Sequence, residues 1–341
     1  MDLRGDASGL AGKVDEGREG CDSDSTSGPV GEGMGRRALL LTVAVLFVMT
    51  LPAAARASAL LQSPPVARVA GRADPVVGAA GDIACASATP TPSSCHQKAT
   101  SDLLVGKGLS AVLAIGDEQY EHGELSNFNA YYDPTWGRVK SITHPVPGNH
   151  EYETSGASGY YTYFGSLAGD ASKGYYSFNI GAWHIVALNS NCSVVSCSIG
   201  STQEKWLKSD LATHTNKCTL AYFHHPRWSS GTPGTSVVGP FITDLYNAGA
   251  DLVLAGHAHH YERFAPQNPS GQVDNTKGLV EIVVGTGGRS LSGFGTPAPN
   301  SLKRSMTFGV IQLTLRSSSF VFKFVPEAGA SFTDSGTVNC H

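Results

Sequence analysis

"LSAVLAIGDEQY" occupies residues 109–120. An apolar run ends at Ile115, Gly116 follows, and Asp117 and Tyr120 come directly after. A short run that is apolar on both faces and closed by glycine reads as a strand buried within a sheet covered on both sides. The aspartate and the tyrosine then fall just beyond its carboxyl end, where open α/β sheets hold their ligands.

The same punctuation recurs. "PVVGAAGDI" (75–83) leads to Asp82, and "THPVPGNHE" (143–151) to Asn149 and His150. "CTLAYFHHP" (218–226) leads to His224 and His225, and "DLVLAGHAH" (251–259) to His257 and His259. Helical stretches are expected over 97–108, around 124–140 and over 239–248. Apolar runs separated by helices predict βαβ units. "YYSFNIGAWHIVALNS" (175–190) predicts a hairpin turning at Gly181-Ala182. Ser201, three residues before Glu204, predicts a capping box opening another helix. Residues 278–326 read as strand-rich. No repeat or internal linker divides residues 75–341, which are expected to form one domain.

Taken singly, a GD is a turn and an HH is a pair of surface histidines. Five such segments in order, each closing an apolar run, form a constellation. Oxygen and imidazole donors suit hard and borderline metal ions. The donors are more than one ion needs, and two ions sharing a carboxylate would use them.

Residues 1–35 differ from the rest, with eight acids and few large apolar side chains. Residues 36–59 bring Arg36, Arg37, a long apolar run and a small-residue site at Ala57 and Ala59, the pattern of a secretory signal cleaved after Ala59. An uncleaved anchor is the rival, because the run, about 18 residues, approaches spanning length. Met34 is an alternative start, which would leave residues 1–33 untranslated. Residues 60–74 read as a linker.

Beyond Ala59 the chain carries 20 acidic and 18 basic residues, a net charge of −2. That balance gives no footprint for nucleic acid or an anionic membrane surface, and no stable membrane association is expected after cleavage. Six cysteines remain, an even number that suggests three disulfides in an exported chain. Proximity favours Cys85–Cys95 and Cys192–Cys197, leaving Cys218–Cys340. No paired CxxC spacing points to a cysteine metal site.

The ordered set GD…GDxxY…GNHE…HxP…GHxH resembles the calcineurin-like metallophosphoesterase superfamily, and within it the purple acid phosphatase branch. The superfamily's first motif is usually Asp-x-His, and here Ala84 stands in place of the histidine. The branch also lacks that histidine and supplies a tyrosine from the second motif, as Tyr120 does here. The resemblance implies an α/β fold, a four-layer αββα sandwich of two mixed sheets flanked by helices. It also implies two metal ions, Fe(III) with a divalent Fe, Zn or Mn. The ferric ion would take Asp82, Asp117, Tyr120 and His259. The divalent ion would take Asp117, Asn149, His224 and His257, with Asp117 bridging. The HxP pattern selects His224 and leaves His225 at its variable position. GHxHxYER selects His257 and His259 rather than His260.

The activity implied is hydrolysis of small phosphate monoesters by a water that the two ions activate. His150 would protonate the leaving group, with His225 a second catalytic candidate and Glu151 orienting His150 or a ligand. Phosphodiesterase activity would use the same donors. A silent metal- or phosphate-binding surface module is a further rival, although no ligand of the pattern is missing. His184 and His144 read as core or strand histidines, His122 as one that could reach substrate, and Glu262 and Arg263 as structural. The Gly/Tyr-rich 156–165 insertion would rim the pocket or cover the sheet. Oligomeric state is not legible.

Overall fold

The computed structural model describes residues 73–341; the expected leader, signal peptide and nearly all of the linker lie outside the described residues. The chain opens with β1 (Val76–Ala80), α1 (Gln97–Asp102), β2 (Ala111–Ile115), the single turn α2 (Leu125–Asn127), β3 (Thr143–Val146) and α3 (Ser158–Phe164). The hairpin β4 (Tyr176–Ile180) and β5 (Trp183–Ala187) follows, then α4 (Thr202–Thr213), β6 (Cys218–Phe223), α5 (Gly239–Asn247) and β7 (Leu252–Ala255). The remaining strands are β8 (Tyr261–Phe264), β9 (Val280–Val284), β10 (Ser301–Ser305), β11 (Gly309–Leu315), β12 (Ser319–Pro326) and β13 (Ser335–Asn339).

These strands form two mixed sheets, ordered β13-β12-β11-β1-β2-β3 and β10-β8-β9-β7-β6-β5-β4. In the first, β1, β2 and β3 are parallel. In the second, β5, β6, β7 and β9 are parallel. Alternation of side chains along each strand decides what packs where. Ile185, Leu220, Leu252 and Ile282 share one apolar cluster with Val77, Leu113 and Ile311 of the other sheet. Their neighbours Val186, Ala221 and Val253 turn the other way, onto Leu207 of α4 and Phe241, Ile242 and Leu245 of α5. The second sheet is thereby covered on both faces, and on the first Gly78 of β1 faces Leu104 and Leu109 of the segment after α1; the expected four-layer sandwich is the observed architecture.

Several local expectations are sharpened. The hairpin turns at Gly181-Ala182, pairing Ile180 with Trp183 and Tyr176 with Ala187. Ser201 Oγ accepts the Glu204 N–H at 3.2 Å and caps α4. The reciprocal contact differs from the expected box, because Glu204 Oε2 accepts from Gly200 N–H rather than from Ser201. The helix expected around 124–140 is broken into α2, a wide helical turn over Phe128–Tyr132 and a 3-10 segment over Trp136–Ile142. Pro134 lies between the last two and has no N–H to continue a helix. Helix α1 stops at Asp102, well short of 108. The 156–165 insertion buries Tyr160 and Phe164 in the core, so it covers the sheet and does not rim the site.

The three expected disulfides are present: Cys85–Cys95, Cys192–Cys197 and Cys218–Cys340. The last spans 122 residues and ties β6 of one sheet to the residue after β13 of the other. In the chain-entropy account a loop of that length contributes about 5 kcal/mol against the unfolded state. No described helix is long and apolar enough to cross a membrane.

Candidate metal centre

The parallel strands of both sheets deliver their carboxyl ends to one place. Turning the chain there within one or two residues demands unusual backbone. Asp82, Asp117 and His257 all adopt left-handed conformations, with φ of 60°, 50° and 65°. Each costs about 1–3 kcal/mol in a residue with a Cβ, so the surroundings must hold them there. Gly148 lets the third loop close on the second: a Cβ on it would lie 2.1 Å from Asp117 Oδ1.

Around Tyr120 four donor atoms converge. Its buried Oη lies 3.0 Å from Asp82 Oδ1, 2.9 Å from Asp117 Oδ2 and 3.0 Å from His259 Nε2. His259 Nδ1 meets Ser290 Oγ at 2.8 Å, which turns Nε2 inward. A second group surrounds His224. Its Nε2 lies 3.2 Å from Asn149 Oδ1 and 3.2 Å from Asp117 Oδ2. Its Nδ1 faces the Ile115 carbonyl at 2.9 Å, so Nδ1 carries the proton and Nε2 is the inward donor. The His257 N–H bonds Asp82 Oδ2 at 2.8 Å, and the His257 ring stands 5.1 Å from that of His224. One oxygen, Asp117 Oδ2, touches both groups. The seven expected metal-binding residues therefore meet in two sets joined at Asp117.

His150 and His225 flank the centre. The His150 N–H bonds Asp117 Oδ1 at 3.0 Å, and its ring lies 4.3 Å from that of Tyr120. Its Nδ1 donates to the Glu121 carbonyl, leaving Nε2 toward the centre, 3.8 Å from Asp117 Oδ2. His225 bonds Ser190 Oγ through its ring Nδ1 and its backbone N–H, both at 2.9 Å. A cavity of about 480 Å³ opens beside Asn149 and His225. A larger one, about 670 Å³, lies at the opposite ends of the strands near Pro75, Ser110 and Phe178, away from all of these donors.

Glu151 was expected to orient His150 or a ligand side chain. Its carboxylate instead accepts backbone N–H groups of Asp117 (2.9 Å), Gln119 (3.2 Å) and Gly148 (2.7 Å), clamping two ligand loops together. Glu262 accepts from Ser230 N–H and Glu281 from Arg227 N–H, fixing the loop after His224-His225. Arg263 pairs with Asp334 at 2.6 Å, in keeping with its structural reading. His184 is buried against Asp210 and His144 stacks on Phe178. His122 is exposed and pairs with Glu153, touching no donor of the centre.

The sequence reading missed Arg289, Ser290 and Ser190. Arg289 lies over the Tyr120 ring at 5.0 Å and pairs with Glu121 at 2.5 Å. A weaker form of the same signal existed, since Ser190 lies in the loop that leaves β5, and Arg289 and Ser290 in the loop that leaves β9.

Electrostatically the centre demands cations. Asp82 and Asp117 are fully buried, and neither lysine nor arginine belongs to the donor set. Burial alone would raise both carboxyls; the imidazoles of His259 and His224 outweigh it and hold them below the usual carboxylate range. Burial opposes charge on His224, yet Asp117 and Asp82 raise its pKa to about 9. Burial and the same two carboxylates push the Tyr120 phenol well above its ordinary value. Protons on His224 and Tyr120 thus occupy places where metal ions would satisfy the same charge, and the donor set fits two such ions.

A prediction follows from the sign. At pH 7 His224 and Tyr120 hold protons that ligation must remove, so metal uptake releases protons and affinity climbs as pH rises toward about 9. Calorimetry in buffers of different ionisation enthalpy should register release of at least about one proton per chain. Buffer-independent heats would contradict this picture.

Residues 93–261 match the family described as calcineurin-like phosphoesterase. Purple acid phosphatase 15 of Arabidopsis thaliana is 30% identical over 227 residues, 54% of this chain and 41% of that protein. Probable purple acid phosphatase 20 of the same plant is 31% identical over 229 residues, 58% of this chain and 52% of that protein. Chains named as probable inactive purple acid phosphatases also match, at 24–27% identity. The chain spans about half the length, or less, of these curated relatives. The solved purple acid phosphatase PPD1 of yellow lupin superposes with a TM-score of 0.67 at 18% identity, covering 78% of this chain and 53% of that one. The likeness shows the same fold. Residues 93–261 are thus similar to calcineurin-like phosphoesterases, and purple acid phosphatases are among the relatives of the chain.

Proposed function

We propose that this protein is an exported, dinuclear metal-dependent phosphohydrolase that cleaves small phosphate monoesters. The carrying observation is the Tyr120 hydroxyl set among Asp82, Asp117 and His259, beside a second donor group that shares Asp117 Oδ2. A phenolate with two carboxylates suits a hard ferric ion, and the nitrogen-richer group suits a divalent one. When bound, two such ions would supply Lewis acidity and a water activated near neutral pH.

The chain's own residues supply the rest. Asp117 joins the two halves, and Glu151 keeps its loop in register with that of Asn149. His150, with its Nδ1 proton committed to the Glu121 carbonyl, presents Nε2 to the leaving oxygen and gives it a proton. The three disulfides favour an oxidising compartment, which supports export.

The test begins with purified protein: metal content, visible spectrum, and turnover of phosphate monoesters against diesters. A phenolate bound to ferric iron absorbs visible light, so the protein should be pink to violet and Tyr120→Phe should be colourless. Iron-free, colourless protein with full activity would refute the ferric assignment. Turnover of diesters alone would move the substrate class. Inactivity on both, with two metals bound, would restore the silent binding module.

A further inference from the structure

We infer that His225 is a third imidazole donor to the divalent half of the centre, which makes that half selective for a zinc-type ion over manganese. This rests on the dinuclear reading above and deepens it. The ligand atoms of His224, His225 and His257 all lie within 4.8 Å of one another, the same closeness that gathers Asp82, Asp117 and His224. Two imidazole nitrogens on one zinc ion stand at most about 4.2 Å apart, since each lies about 2.1 Å from it. Three donors cannot all stand opposite one another, and in a tetrahedral set they lie about 3.4 Å apart, so the imidazoles must close in by up to about 1.4 Å, within the reach of side-chain rotation.

The rings are already grouped. That of His225 lies 4.5 Å from His257 and 4.9 Å from His224. Ser190 Oγ pins His225 through its Nδ1, so the imidazole is oriented from behind, as metal-binding imidazoles commonly are. His225 is half-buried and has no ion-pair partner among the described residues. The HxP pattern requires only the first histidine and the proline, so a donor at His225 is an addition to what the pattern itself supplies.

The chemical consequence is a change in donor balance. With His225 the half-site offers three imidazoles beside one amide oxygen and the shared carboxylate. Imidazole-rich sets favour zinc and its neighbours, whereas oxygen-rich sets accommodate manganese and magnesium.

The test needs no substrate. Metal-free protein is titrated with zinc and with manganese, and cobalt(II) spectra report the donor set. His225→Ala should weaken zinc at one of two sites by well over about a hundredfold, beyond the roughly 10–100-fold that losing an orienting partner costs. Manganese affinity should change far less, and the cobalt spectrum should shift. Ser190→Ala, which keeps the imidazole, should weaken zinc by only about tenfold. Unchanged zinc affinity and cobalt spectrum in His225→Ala would overturn the inference. So would unchanged metal binding with weaker inhibition by inorganic phosphate, which would make His225 a substrate contact. His224→Ala is the control: if it also keeps both ions, the dinuclear reading itself fails.

Discussion

Replacing Asp117 with asparagine should strip or weaken both metal ions at once and abolish turnover. Asp117 Oδ2 lies 2.9 Å from Tyr120 Oη and 3.2 Å from His224 Nε2, so one carboxylate oxygen serves both donor sets. The substitution keeps the shape of the side chain and removes its charge. Breaking a buried charge pair costs about 3–5 kcal/mol, or about two orders of magnitude or more in affinity for an ion that depended on it. Asp82→Asn removes a carboxylate placed beside Tyr120 and His259 and should empty chiefly that half. The contrast is measurable by metal analysis after dialysis against a weak chelator. A metal-free signature accompanies it: with its main carboxylate partner gone, His224 should titrate well below about 9 by NMR. Two ions per chain with normal turnover in Asp117→Asn would remove Asp117 from the bridging position.

The residues that meet here were legible because the fold and the site share one signal. Asp82, Asp117, His224 and His257 each follow an apolar strand, and parallel strands place such residues on a common rim. Tyr120 was legible only together with the absent histidine at Ala84. What escaped was of another kind. Glu151 acts through backbone N–H groups of Asp117, Gln119 and Gly148, contacts that depend on how two loops pack rather than on any spacing. Arg289 reaches Tyr120 from the end of β9, nearly 170 residues away. The strand β13 was missed because SGTVN is small and polar and is recruited by pairing with β12, not by its own propensity. The broken helix after residue 124 was miscounted despite a visible cause, Pro134, whose ring restricts the residue before it as well.

His150→Ala should separate proton donation from metal binding. His150 lies beside the centre yet belongs to neither donor set, so both ions should remain. Its Nδ1 is held by the Glu121 carbonyl, and Arg289 fixes the Glu121 side chain by an ion pair. The ring is therefore oriented before substrate arrives, with Nε2 facing the position where a leaving oxygen gains charge. Losing a general acid typically costs about 10²–10⁴ in rate. That cost should fall unevenly. A nitrophenolate leaves as a stable anion and needs little help, so its ester should lose the least. An alkyl phosphate, such as a sugar phosphate, leaves as an alkoxide that must be protonated, and should lose close to the full factor. The ratio of the two losses is the measurement, taken with metal content and inhibition by inorganic phosphate. Equal losses on both esters with weaker phosphate inhibition would mean that His150 grips the phosphate rather than giving up a proton. Loss of an ion would place it among the ligands. A large loss on the alkyl ester alone, with two ions retained, would leave proton transfer from Nε2 as the step that the variant removes.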